Sequence, residues 1–194
     1  ICIILVMSFF TAKSADIGDT TLAVNSVLLQ FFMFFSFVMD GFAYAAEALT
    51  GRFFGEHSKE KLIKAVKLLF KWGIGFALLF SIIYITLGDK ILLLLTDNQE
   101  VLDYSKSFIY WVWAIPLITF AAFLWDGIFI GATASKSMRN AMLVSTLVFF
   151  LPASYLLIGP LGNHGLWIAF LLFQLSRGIV QSFMSRRTIF YKLN

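Results

Sequence analysis

Charge is scarce in this sequence. Only 13% of its 194 residues are Asp, Glu, Lys or Arg, against 60% hydrophobic, and the mean hydropathy is +0.86. That leaves too little polar surface to cover a water-facing globule, so a soluble domain is excluded and lipid is the expected solvent. Cysteine is nearly absent as well: Cys2 stands alone, which excludes an internal disulfide and any cysteine-based metal spacing. The net charge of +4 does not point to nucleic acid, because the basic residues sit at the ends of apolar stretches and form no stripe free of hydrophobic flanks. Linker-like and low-complexity segments are missing too, which removes any ground for a second domain. The chain opens on isoleucine in an apolar run without the basic flank or A-x-A site of a signal peptide, and reads as beginning inside a helix.

What the sequence has is long apolar stretches. A bilayer core takes roughly 20 consecutive mainly apolar residues per helix. Five stretches meet that length, residues 20–49, 62–87, 105–133, 140–158 and 166–184, preceded by a short tail at 1–12. The expected fold is all-α, a polytopic membrane helical bundle. Gly51, Gly55, His57 and Ser58 read as ending one helix and capping the next, with Glu60 in its first turn, where a negative charge suits the helix dipole. Gly88-Asp89 reads as another helix end and residues 88–104 as an interfacial connector, in which Asp97 and Glu100 resemble a capping box. Gly159-Pro160-Leu161-Gly162 reads as a tight turn.

Basic residues set an orientation. Lys13, Lys90 and Lys106 fall on one side, while the other twelve of the 15 cluster in residues 52–71, at Lys136 and Arg139, and from Arg177 to Lys192. Cytoplasmic loops collect Lys and Arg, so the 51–61 loop and the C-terminus are expected in the cytosol and the 88–104 connector outside. The alternation holds at every span, as it should for five complete helices.

Within these spans lie two isolated acids, Asp40 and Asp126, each followed by glycine. A carboxylate at such depth is costly unless paired, protonated or facing water, which makes both candidate functional residues of a transporter. Arg52 lies 12 residues after Asp40 and Lys136 lies 10 after Asp126. At 1.5 Å per residue both acids then sit roughly 15–18 Å from the cytosolic end, at one depth. Glu47, two turns beyond Asp40, either extends a polar track toward the cytosol or snorkels beside Arg52. For the aspartates the competing reading is a structural hydrogen bond to a neighbouring helix.

Gly127-x-x-x-Gly131, Gly51-x-x-x-Gly55 and Gly41-x-x-x-Ala45 are patterns that let membrane helices approach closely. Pro116, ten residues before Asp126, is a candidate hinge together with Gly127, and Pro152 a candidate kink. Trp72, Trp111, Trp113 and Trp167 fall near helix ends and read as an interfacial belt. Trp125, with Phe120 and Phe123 nearby, either faces lipid or packs as a core aromatic, or else helps wall a cavity that holds a lipophilic cation.

The segments Phe37-Val38-Met39-Asp40-Gly41-Phe42-Ala43-Tyr44-Ala45-Ala46-Glu47, Thr96-Asp97-Asn98-Gln99-Glu100-Val101 and Asp126-Gly127-Ile128-Phe129-Ile130-Gly131, with Met138-Arg139-Asn140, resemble the C-terminal half of the multidrug and toxic compound extrusion (MATE) family, in its DinF-like branch. The resemblance covers the whole chain. It implies one six-helix lobe, its first helix truncated, of a twelve-helix transporter that exports drugs or other cationic and amphipathic compounds against protons or sodium. Asp126 matches the tenth-helix acid that takes part in cation binding in some branches. The glutamate those branches carry in the seventh helix has no counterpart in residues 1–12.

The resemblance implies cation or proton coupling at Asp126; the reading of the residues adds Asp40 and Glu47 as coupling candidates, with Trp125, Phe123 and Tyr44 as cavity candidates. Protonation and substrate occupancy would compete at these carboxyls, and alternating access would follow from rocking lobes. The expected partners are a small-molecule substrate, the lipid bilayer and an N-terminal lobe of the same protein, with no nucleic acid. No cofactor beyond the coupling H+ or Na+ is expected, and the expected location is a plasma (bacterial inner) membrane. The alternatives are a lipid-linked oligosaccharide flippase, for which Arg177 near a helix end is the one basic candidate, and a non-transporting structural subunit. An enzyme is disfavoured because His57 and His164 fall on opposite sides, and a channel because no filter-like segment is present.

Overall fold

The computed structural model describes residues 2–191; Ile1 at the head of the tail, Lys192 of the basic C-terminus and the last two residues lie outside them. The elements are α1 (Cys2–Ile17), α2 (Asp19–Gly55), α3 (Lys59–Leu95), α4 (Gln99–Ser105), α5 (Ile109–Gly131), α6 (Ser135–Val144), α7 (Leu151–Leu161) and α8 (Asn163–Ser185), with π-helical stretches at Ser145–Phe150 and Arg186–Phe190. Five helical runs are long and apolar enough to cross a membrane: α2, α3, α5, the α6–α7 run and α8 with its π extension. Helix α1, at 16 residues, falls short of that length.

Helix α5 holds the bundle together. It is apolar nearly all round, as expected of a helix with neighbours on most sides, and packs against α2, α3 and α8. Its seam with α2 is made by glycine. A Cβ on Gly127 would collide with the backbone of Ala43, and one on Gly131 with the carbonyl of Glu47. The other small-residue patterns do not behave alike: Gly51 rests against Gly131, whereas Gly41 and Gly55 face open space.

Several boundaries depart from the sequence expectation. Helix α3 runs straight through Gly88-Asp89 to Leu95, so the 88–104 connector shrinks to a short break and the seven-residue α4. An interior glycine costs about 1 kcal/mol relative to alanine. Gly88 is buried against Ile109 and Trp113, and that packing carries the helix past it. The cap of α4 is Asn98, not Asp97: its side-chain oxygen accepts from the backbone N–H groups of Glu100 (3.0 Å) and Val101 (3.3 Å). Pro160 lies inside α7, and the turn narrows to Gly162 at φ 53°. Pro152 follows the π stretch, whose wider register eases the clash a proline ring makes with the preceding turn.

Trp167 is not part of an interfacial belt. It is fully buried and donates through Nε1 to Asn25 Oδ1 (2.9 Å). Asn25 and Asn163 exchange a reciprocal amide pair, 2.7 and 3.0 Å, and Asn25 also donates to Ser14 Oγ (2.7 Å). This network ties α1, α2 and α8 together at the end opposite the 56–58 turn.

Candidate functional site

Helix α8 carries a polar line at Gln174, Arg177 and Gln181, spaced so that all three share a face. That face meets Asp126 of α5. Arg177 Nη2 and Asp126 Oδ2 form a salt bridge, and Gln181 Nε2 donates to Asp126 Oδ1 at 2.6 Å. Arg177 Nη1 donates to Gln174 Oε1 at 2.6 Å, and the guanidinium lies over the Phe173 ring, 5.5 Å from its centroid. Arg177 is 1% exposed and the Asp126 side chain 19%. Two polar atoms of this cluster, Arg177 Nε and Gln181 Oε1, are buried without a partner among the described residues.

The cluster borders a cavity of about 580 Å³ whose wall includes Asp126, Arg177, Asp40 and Glu47. Asp40 and Glu47 come from one face of α2 together with Ser36, Ala43 and Tyr44, as their helical spacing dictates. Neither acid has a hydrogen-bond or ion-pair partner among the described residues. Apart from Ser8, the remaining wall is apolar and soft, with Met7, Met33, Phe32, Phe123 and Ile130. Three carboxyl groups and one guanidinium therefore face a mostly hydrophobic space, and the glycine seam brings the α2 and α5 acids to it.

The structure sorts the candidate residues. Asp126, Asp40, Glu47, Phe123, Tyr44 and Gly127 all line the cavity. Trp125 does not. It is 6% exposed, turned to the far side of α5, tilted against the Phe70 ring (5.2 Å between centroids, 57° between planes) and donating to Ser182 Oγ at 2.7 Å. It is a core aromatic that does not wall this cavity, because one residue along a helix is a rotation of about 100°. Pro116 is buried inside an unbroken α5. Gly127 provides close approach to α2.

Arg177 is the residue that sequence reasoning misplaced. Its place in the sequence puts it with the cytosolic basic residues near a helix end; in the structure it lies within α8 and faces inward, which leaves eleven against three in the charge asymmetry. The signal was present in the sequence. Arg177 precedes Arg186 by nine residues and is flanked by Gln174 and Gln181, a polar stripe that only a partner inside the bundle makes tolerable.

A polytopic helical membrane bundle with three carboxyl groups and a buried arginine gathered on a cavity between its helices is the class this geometry defines. The MatE family model matches residues 1–156, and the chain belongs to that family. It is 34% identical over 177 residues to DNA damage-inducible protein F of Escherichia coli K12, covering 91% of this chain and 38% of that protein. It is also 22% identical over 173 residues to DETOXIFICATION 45, a chloroplastic protein of Arabidopsis thaliana, covering 88% of this chain and 30% of that one. The chain thus spans well under half the length of these relatives. Among solved structures it superposes on an outward-facing multidrug resistance MATE family transporter of the MOP superfamily with TM-score 0.88 at 19% identity, covering 99% of this chain and 44% of the other. The eukaryotic MATE transporter AtDTX14 gives TM-score 0.80 at 17% identity, with 89% and 39% covered.

Proposed function

We propose that this chain forms one lobe of a cation-coupled antiporter that exports cationic or amphipathic organic compounds by alternating access, with protons or sodium as the driving ion. The observation that carries the reading is the charge balance of the cavity. Asp126 and Arg177 neutralise each other, so the unpaired Asp40 and Glu47 leave the space net negative when ionised. An apolar cavity of that sign suits a lipophilic cation, whose body meets Phe32, Phe123 and the methionines.

Arg177 gives Asp126 two mutually exclusive partners. Ionised, the carboxylate holds the guanidinium. Protonated or claimed by a metal ion, it releases a buried cation, whose field opposes a substrate cation nearby. Coupling then follows from electrostatics: driving ion and substrate are disfavoured together. A flippase handling diphosphate would want a free basic residue in the cavity, and its one arginine is already paired. A second lobe facing this cavity completes the transporter, in a plasma or bacterial inner membrane with the 56–58 turn on the cytosolic side. The likeness to known transporters also favours transport over catalysis.

The test measures efflux of a fluorescent lipophilic cation by the full-length protein, normalised to protein in the membrane. Asp126→Asn/Arg177→Gln, which removes the pair as a unit, should abolish efflux driven by either a proton or a sodium gradient. Asp40→Asn should weaken it. Wild-type rates in both variants under both gradients would sink the reading.

A further inference from the structure

Helices α5 and α8 each carry two working faces. One places Asp126 and Arg177 on the central cavity. The other turns Trp125, Ser182 and Ser185 toward α3, where a second cavity of about 520 Å³ opens. Its chemistry is of another kind: Ile63, Val66, Trp125 and Phe190 give apolar walls, while Lys67 and Arg186 bring two cations and, among the described residues, no acid lines it. Both cations are exposed, and neither has an ion-pair partner among the described residues.

The hydroxyls in the groove are already engaged. Ser182 Oγ donates to the Gly178 carbonyl and accepts from Trp125 Nε1, and Ser185 Oγ donates to the Ser182 carbonyl. What the groove offers a ligand is therefore two positive charges above an aromatic and aliphatic floor. Arg186 and Phe190 both belong to the terminal π-helical stretch, a widened turn that recurs at functional sites.

We infer that this groove binds an anionic phospholipid, with the phosphate held between Lys67 and Arg186 and the first methylenes of an acyl chain against Ile63, Val66 and Trp125. A soluble phosphate ester would leave the apolar walls unused, whereas a lipid satisfies both halves. The groove lies at the end of the bundle where the basic residues gather, and anionic lipids concentrate in the cytoplasmic leaflet and bind such basic pockets between membrane helices. The site also has a route to the central cavity. Trp125 precedes Asp126 on α5, and its bond to Ser182 joins α5 to α8 one residue beyond Gln181. A lipid pressed on Trp125 thereby supports the reverse side of the Asp126–Arg177–Gln181 cluster.

Native mass spectrometry of the full-length protein, exchanged in detergent with mixed phosphatidylglycerol and phosphatidylcholine, tests the assignment without reference to transport. Wild type should retain phosphatidylglycerol several-fold over phosphatidylcholine. Lys67→Gln/Arg186→Gln should lose that preference, while Lys136→Gln/Arg139→Gln, neutralised elsewhere on the same side, should keep it. Millimolar inorganic phosphate should not displace the lipid. In parallel, phosphatidylglycerol with brominated acyl chains should quench the part of the fluorescence that Trp125→Phe removes. Equal retention of both lipids by wild type, unchanged preference in the Lys67/Arg186 variant, displacement by inorganic phosphate, or an unquenched Trp125 overturns the proposal.

Discussion

Arg177 changes what an amide at position 126 should do. From the sequence, Asp126→Asn reads as a clean removal of charge that leaves expression intact. In the structure it strands a guanidinium that is 1% exposed, and breaking a buried pair by removing one partner costs about 3–5 kcal/mol. The expected outcome is a marked drop in thermal unfolding temperature for Asp126→Asn in detergent, most of it recovered by adding Arg177→Gln. Stability equal to wild type in the single variant would show that Arg177 finds another partner. The glycines offer a second contrast at this scale. Gly127→Ala drives a methyl into the Ala43 backbone and should destabilise the protein by several kcal/mol or prevent assembly, since the obstacle is main chain. Gly41→Ala meets nothing within 4 Å and should stay within about 0.5 kcal/mol of wild type, as surface substitutions usually do. Equal effects of the two would contradict the seam.

Among the elements, the turn between α2 and α3 has its own pH dependence. Glu56 accepts hydrogen bonds from Lys61 Nζ (2.9 Å) and Arg52 Nε (3.0 Å), and these, Lys61 first, hold its carboxyl below the ordinary carboxylate value of 4.5. A carboxyl depressed in the folded state adds stability that is fully present above its unfolded value and disappears as pH falls through the lower folded one. The group is exposed, so salt screens the effect. Carbon NMR of the Glu56 carboxyl should give a midpoint under 4.5 that rises in Lys61→Gln; an unmoved midpoint would remove Lys61 as the cause. Much at this scale was legible beforehand. Apolar length gave the five crossing helices, and Gly55, His57 and Ser58 marked the α2–α3 turn, where His57 adopts φ 52°. Gly88 misled because its cost is small beside the packing that Ile109 and Trp113 supply from another helix. Trp167 misled because its partner Asn25 lies 142 residues away. The acids of the candidate site were legible through their isolation in apolar sequence. Arg177 and the turn of Trp125 away from the cavity were not, since each is decided by which helix lies opposite.

At the scale of the whole molecule, orientation can be read by labelling. Single cysteines at Ser58 and Asn98, in a Cys2→Ser background, should react differently with an impermeant maleimide applied to intact cells, with Asn98 labelled and Ser58 protected. Equal labelling would overturn the assignment of sides. Expressed alone, the chain should insert into membranes without transporting, because its cavity borders a face that the expected second lobe completes. Transport by vesicles holding this chain alone would contradict the half-transporter reading. The α2–α5 seam bears on how any conformational cycle divides the work. Where backbone meets backbone there is no side chain to change rotamer and no slack to take up a slide. The spacing between the Asp40 and Asp126 helices is therefore expected to be a constant of motion: spin labels on α2 and α5 should report one narrow distance distribution whichever way the cavity opens, and the broadening should appear in pairs that span the lobes.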